Sequence, residues 1–186
     1  MKPIKVGVIG LGLIWLRVHK PILATMTDVF ELIAFCDLSE QRRATAAQDF
    51  PDATIVADYQ SLLEQPDLDA VLVLTPIALN AQLALAALEA GKDVIMEKPI
   101  ARSVAEGQKL IETARRLGRR LFVLEQLAYR QAEATLIEIL ASGEIGDLML
   151  WARVQHLEAD PAQGPMRYDS TPWRKAADFP LGALFD

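Results

Sequence analysis

Gly10 and Gly12 stand directly after the apolar run 4–9 and directly before a helical pattern that opens at Leu13. Strand, Gly-x-Gly and helix, in that order, is the arrangement a pyrophosphate requires. The first glycine permits a tight turn. The second lets the backbone approach a phosphate seated on the amides of the helix N-terminus, here those of Leu13 and Ile14. The third small residue of such a turn packs helix against strand, and Trp15 takes its place. An ordinary strand–helix turn without a ligand is the plainer alternative. Asp37 lies 25 positions after Gly12 and closes a second apolar run, 30–37. A carboxylate there can accept hydrogen bonds from ribose hydroxyls. Asp37 can equally cap the helix that follows, as can Ser39.

The elements that must position these groups alternate. Residues 13–19 continue as helix, and Pro21 is expected to end or kink it. The apolar run 30–37 is followed by a helix over 40–50, a weak strand at 54–57 and a short helix at 59–65. Residues 70–74 form a core strand closed by Thr75-Pro76. An Ala/Leu-rich helix over 79–90 ends at Gly91, placed as a left-handed C-terminal cap. The strand 93–96 is closed by Glu97-Lys98-Pro99. Ser103 and Glu106 form a capping box for a helix that stops at Gly118. Residues 121–124 make the sixth strand. Six such alternations predict an α/β fold, a doubly wound parallel sheet with right-handed crossovers. Beyond residue 125 the rhythm changes. An amphipathic helix over 131–142 should turn Leu136, Ile137, Ile139 and Leu140 inward. A long, partly alternating strand is expected at 147–157, then irregular chain at 158–186. The sequence therefore divides into a domain at 1–125 and the beginning of a second, α+β domain at 126–186.

Composition narrows the partners. Apolar residues make up 52% of the 186 positions and charged residues 24%, which suits a globular chain with a sizeable core. A net charge of −6 and a pI near 5.0 argue against nucleic acid or an anionic membrane as a partner. No apolar stretch reaches the roughly 18 residues of a membrane span, and Met1-Lys2 leads straight into a core strand with no leader pattern. A cytoplasmic location is the expectation. The single cysteine, Cys36, excludes an internal disulfide and any multi-cysteine metal site, and is expected to be buried and inert.

Several short motifs recur together along the chain: Gly10-x-Gly12, Cys36-Asp37, Thr75-Pro76, Ala87-Leu88-Glu89-Ala90-Gly91-Lys92 and Glu97-Lys98-Pro99. Tyr129-Arg130, Gly143-x-Ile145-Gly146, Trp173-Arg174 and Gly182-x-Leu184-x-Asp186 follow in order. With these the chain resembles the glucose-fructose oxidoreductase / inositol dehydrogenase / rhizopine-catabolism (Gfo/Idh/MocA) family. The resemblance implies an N-terminal Rossmann domain followed by an α+β domain with a large open sheet. It also implies an NAD(P)-dependent oxidoreductase acting at a carbinol or carbonyl carbon of a sugar, polyol or derivative. The cofactor expected is NAD, with NADP possible. Asp37 would accept from both ribose hydroxyls and repel a 2′-phosphate, whereas Arg42 and Arg43 follow closely enough to blunt that preference.

By the same resemblance, Gly10, Gly12, Leu13, Ile14, Asp37, Arg42, Thr75, Pro76, Asn80, Glu97 and Lys98 surround the cofactor. Lys98 matches the family's catalytic lysine. At the carboxyl end of a parallel strand its ammonium can hydrogen-bond substrate oxygen and cofactor ribose, stabilising charge that develops as hydride moves. Pro99 removes an N–H and biases Lys98 toward extended backbone. Asp186 matches the first residue of Asp-x-Gly-x-His, whose acid–base pair completes the catalytic set. The 186-residue chain is accordingly expected to bind cofactor without turning over substrate. Trp15, Asn80 (a histidine in many members) and Pro180-Leu181 depart from the family pattern. His19 matches a His-x-Pro expected to serve packing or capping, and His156 is expected to be structural. No metal is implied. A homo-oligomer is expected, because the apolar run 148–151 invites pairing with another chain. Two other readings keep the fold without the chemistry: a catalytically silent cofactor-binding sensor, and an interaction protein that has lost the site.

Overall fold

The computed structural model describes residues 2–125 and 131–147. Contacts divide the chain into two units, the first running to Leu124 and the second starting at Glu125. The first unit is a six-stranded, wholly parallel sheet. Its strands are β1 (Ile4–Ile9), β2 (Phe30–Cys36), β3 (Thr54–Val56), β4 (Ala70–Val73), β5 (Asp93–Glu97) and β6 (Leu121–Leu124). They lie in the order β3-β2-β1-β4-β5-β6. The chain winds outward from β1 to β3, then crosses back to β4 and winds the other way. The carboxyl ends of β1 and β4 therefore flank the switch point, where such sheets leave a crevice for ligands.

Strands this apolar are buried on both faces because helices cover both. On one face Val6, Val8, Phe35 and Leu72 pack with Trp15 and Ala46. On the other, Ile9, Val71, Val73, Val94 and Met96 pack with Leu83, Ala84, Ala87, Leu88 and Leu110. Alternate residues of β1 thus serve the two halves of the core.

The first helix departs from expectation. A π-helical segment, Trp15–His19, runs straight into α1, Lys20–Leu23. Pro21 does not end it. The Lys20 amide reaches back five residues to the Trp15 carbonyl, and Pro21 follows as the second residue of the new α-helical turn. There a missing N–H is tolerated as it would be at any helix start. α2 (Glu40–Asp49) is capped by Ser39, whose Oγ accepts from the Arg42 amide. α3 (Tyr59–Leu63) is capped by Asp58. α4 (Ile77–Glu89) starts two residues earlier than the apolar pattern suggested, with Pro76 at its N-cap. α5 (Val104–Leu117) starts on Ser103, whose Oγ accepts from the Glu106 amide at 3.2 Å. Glu106 reaches back past the expected Ser103 amide and accepts from Arg102 at 3.0 Å.

In the second unit α6 spans Gln131–Ser142. Leu136 and Leu140 are partly buried, but Ile137 and Ile139, expected inward, are exposed. Gly146 donates to the Gly143 carbonyl and closes the turn after it. The strand expected at 147–157 lies outside the described residues except for Asp147.

Candidate functional site

The glycine turn is tied to three strand ends. Gly10 has a φ of +98°, and a Cβ on it would stand 2.5 Å from the Leu74 carbonyl oxygen. Only glycine fits that conformation and that approach. Its amide donates to the Cys36 carbonyl at 2.9 Å, while Leu74 donates to Ile9 at 2.8 Å. The next amide, Leu11, donates to Asp37 Oδ2 at 2.8 Å.

Gly12 has a different reason to be glycine. Its φ is ordinary, and a Cβ there would meet only Arg42 Nη1 at 3.8 Å. Neither the turn nor the packing demands glycine at this position. What glycine preserves is open space over the first turn of the helix, where the amides of Leu13 and Ile14 precede any intrahelical acceptor. That space and those amides fit a pyrophosphate.

Trp15 settles the packing that a small residue would otherwise provide. The residue is 2% exposed. It lies 5.6 Å from Phe35 and 6.2 Å from Phe50, centroid to centroid, and the two phenylalanines stand 4.5 Å apart. An aromatic trio clamps the helix to β2 and to the residue that caps α2, and the departure from the family pattern lies beneath the turn rather than above it.

Asp37 is buried and heavily engaged. Besides Leu11 it accepts from the Ser39 amide at 2.8 Å and from Arg42 Nη1 at 3.4 Å. The two arginines after it have separated roles. Arg43 donates to the carbonyls of Asp37 and Leu38 at 2.8 and 2.9 Å, so its guanidinium serves the backbone. Arg42, about half exposed, lies between Asp37 and the space over Gly12.

At the ends of β4 and β5 the structure turns two predicted contacts inward. Asn80 is 1% exposed. Its Oδ1 accepts from Thr75 Oγ1 at 2.9 Å and its Nδ2 donates to the Pro99 carbonyl at 3.5 Å. It braces two loops against each other. Glu97, also buried, has Oε1 2.9 Å from His19 Nε2, and its Oε2 accepts from the Lys98 amide at 3.2 Å. Sequence reasoning singled out His19 and Glu97 separately but not their contact. Lys98 follows β5 directly and is partly buried, and its peptide bond to Pro99 is cis. Asp186, Tyr129, Arg130 and His156 lie outside the described residues, as does the apolar run 148–151. Among the described residues no group of three or more His, Cys, Asp or Glu side chains is disposed to hold a metal. No helix among them is long and apolar enough to cross a membrane.

A parallel sheet of this order, with Gly-x-Gly closing β1 and a carboxylate closing β2, defines a dinucleotide-binding Rossmann domain. Residues 4–125 match the Gfo/Idh/MocA oxidoreductase family, described by its NAD-binding Rossmann fold, and the chain belongs to that family. It is 28% identical over 183 residues to the NADP(+)-dependent scyllo-inositol 2-dehydrogenase IolW of Bacillus subtilis, covering 98% of this chain and 48% of that one. With the inositol 2-dehydrogenase of Salmonella typhimurium it shares 31% identity over 149 residues, 79% of this chain and 44% of the relative. Among solved structures, the WlbA dehydrogenase of Bordetella pertussis, held with NADH and UDP-GlcNAcA, superposes with a TM-score of 0.73 at 26% identity. That match covers 78% of this chain and 44% of the other. A 3-ketoreductase of Actinomadura kijaniata, in complex with NADP and TDP-benzene, gives 0.70 at 31% identity, covering 76% and 43%. The chain spans about half the length of the curated relatives it matches.

Proposed function

We propose that the whole protein transfers hydride between a nicotinamide dinucleotide and a carbinol or carbonyl carbon of a sugar, polyol or sugar derivative. The observation that carries this reading is the unforced glycine at position 12, beside Asp37 and on the same sheet edge as Lys98. The first helix would seat the pyrophosphate on the amides of Leu13 and Ile14. Asp37 would accept from the adenosine ribose, and the strand end at Thr75-Pro76 would line the crevice. The nicotinamide ring, when bound, supplies the carbon that takes or gives hydride. Lys98 donates hydrogen bonds to the substrate oxygen and stabilises the charge that develops there. Asp186 takes part in proton transfer in the whole protein.

NAD is the preferred cofactor, by a narrow margin. A carboxylate offers about four acceptor positions, and Leu11, Ser39 and Arg42 already use three of those on Asp37. Both ribose hydroxyls are accommodated only when Arg42 turns aside, and a 2′-phosphate would draw Arg42 to itself.

Calorimetric titration with NADH and NADPH tests the binding half of this reading, with NADH expected to bind more tightly. An absence of binding by either would defeat it. Steady-state assay of the whole protein with inositols, other polyols and sugars tests the chemistry. Lys98→Ala should lower kcat by about 10²-fold or more on the scale of a lost oxyanion donor. Cofactor affinity should change much less. A kcat near wild type would reduce Lys98 to a surface residue.

A further inference from the structure

We infer that His19 is a positioning residue for Lys98. Acting through Glu97, it holds the strand end that carries the lysine in fixed relation to the helix that seats the pyrophosphate. The inference deepens the functional reading above and rests on it for its catalytic meaning.

One carboxylate makes the link. Glu97 Oε1 meets His19 Nε2 at 2.9 Å, and Glu97 Oε2 accepts from the Lys98 amide at 3.2 Å. His19 and Glu97 are 78 positions apart in sequence, and their side chains are only 13% and 10% exposed. The two ends of the link are themselves held. His19 ends the π-helical segment that begins at Trp15, and that ring is clamped by Phe35 and Phe50. On the far side of the lysine, Asn80 donates to the Pro99 carbonyl while accepting from Thr75. Lys98 is therefore gripped before and after itself, by Glu97, which His19 holds from the first helix, and by Asn80 from α4.

Burying such a pair is not the economical way to fill space. Two well-packed apolar side chains would stabilise the fold as much or more. What a hydrogen-bonded pair adds is direction, since it tolerates little change in distance or angle. Direction matters here because reacting groups misplaced by about 1 Å lose rate by as much as 10²-fold.

The test compares His19→Leu, His19→Gln and His19→Asn. A glutamine amide reaches the place of Nε2, whereas asparagine falls short of it. Labelling of Lys98 by trinitrobenzenesulfonate is followed by peptide mass spectrometry, with exposed Lys109 as internal reference. His19→Leu and His19→Asn should change the Lys98 rate relative to Lys109 by about threefold or more, the scale of one lost hydrogen bond. His19→Gln should restore it. Should the leucine variant fail to fold, the glutamine–asparagine pair carries the comparison alone. Equal rates across the series would overturn the proposal.

In the whole protein His19→Leu should lower kcat by about tenfold and leave the NADH dissociation constant within about threefold. Equal loss in both would reduce His19 to a fold-stabilising residue and defeat the inference. If wild-type protein bound no NADH, the functional reading would fall, while the labelling series would still decide the positioning role.

Discussion

Replacing Asp37 with alanine would release the Leu11 amide as well as remove the ribose acceptor, because one carboxylate serves both. The variant should weaken NADH and NADPH together, so it is a poor probe of cofactor choice. Arg42→Ala is the cleaner one. Its guanidinium touches Asp37 and borders the space over Gly12 without supporting the backbone. NADPH affinity should fall by about tenfold, the worth of a charge-assisted hydrogen bond, and NADH affinity should hold or improve. Calorimetry reads both, and an equal loss of the two would refute this division of roles. Cys36 gives a pH signature. Burial first, then the negative charges of Asp37 and Asp58, push its thiol up from 9.0 to about 11, with Arg43 pulling the other way. The folded chain then holds a proton that the unfolded chain gives up. This contribution to stability is intact below pH 9 and is lost as pH rises toward about 11. Thiol alkylation at neutral pH should accordingly be slow in the folded protein and fast in urea. Rapid alkylation of folded protein would show that Cys36 is open to solvent.

The turn between β1 and the first helix contains two glycines that answer to different constraints. Gly10→Ala would force a Cβ against the Leu74 carbonyl at a positive φ. It should cost about 3 kcal/mol or more, visible as a lowered midpoint in urea. Gly12→Ala meets no such obstacle within the chain. Its stability should stay within about 0.5 kcal/mol of wild type, while NADH binding weakens by at least about tenfold through the blocked approach. Should Gly12→Ala bind NADH normally, the space over position 12 would have no part in cofactor binding. The helix after the turn depends on its tryptophan. Trp15→Ala would empty the centre of the aromatic trio and should destabilise by about 3–5 kcal/mol, a loss that thermal unfolding would detect.

Across the molecule, much of the first unit could be read directly from the chain. Apolar runs of four to eight residues, most of them closed by a turn signal, are the elements a parallel sheet needs. Six alternations with helices admit few other arrangements, because crossovers have one hand. The Gly-x-Gly turn and Asp37 are legible as candidates because each closes a strand, and strand ends are where this architecture meets its ligands; Lys98 is singled out by the family resemblance. The helix through Pro21 was not legible. A proline ends a regular helix, and only the wider turn beginning at Trp15 shows how the chain carries on. Nor could local pattern say which way a polar side chain faces once strands are laid side by side. Asn80 and Glu97 both stand among the expected cofactor contacts, and nothing in the local pattern announces that one meets Thr75 and Pro99 and the other His19. Sequence by itself determined the strands, the glycine turn and the class of fold, since these follow from the periodicity and backbone chemistry of neighbouring residues. Only the tertiary structure decided the partners of the buried polar groups, since those lie up to 78 positions away and meet only when the sheet closes.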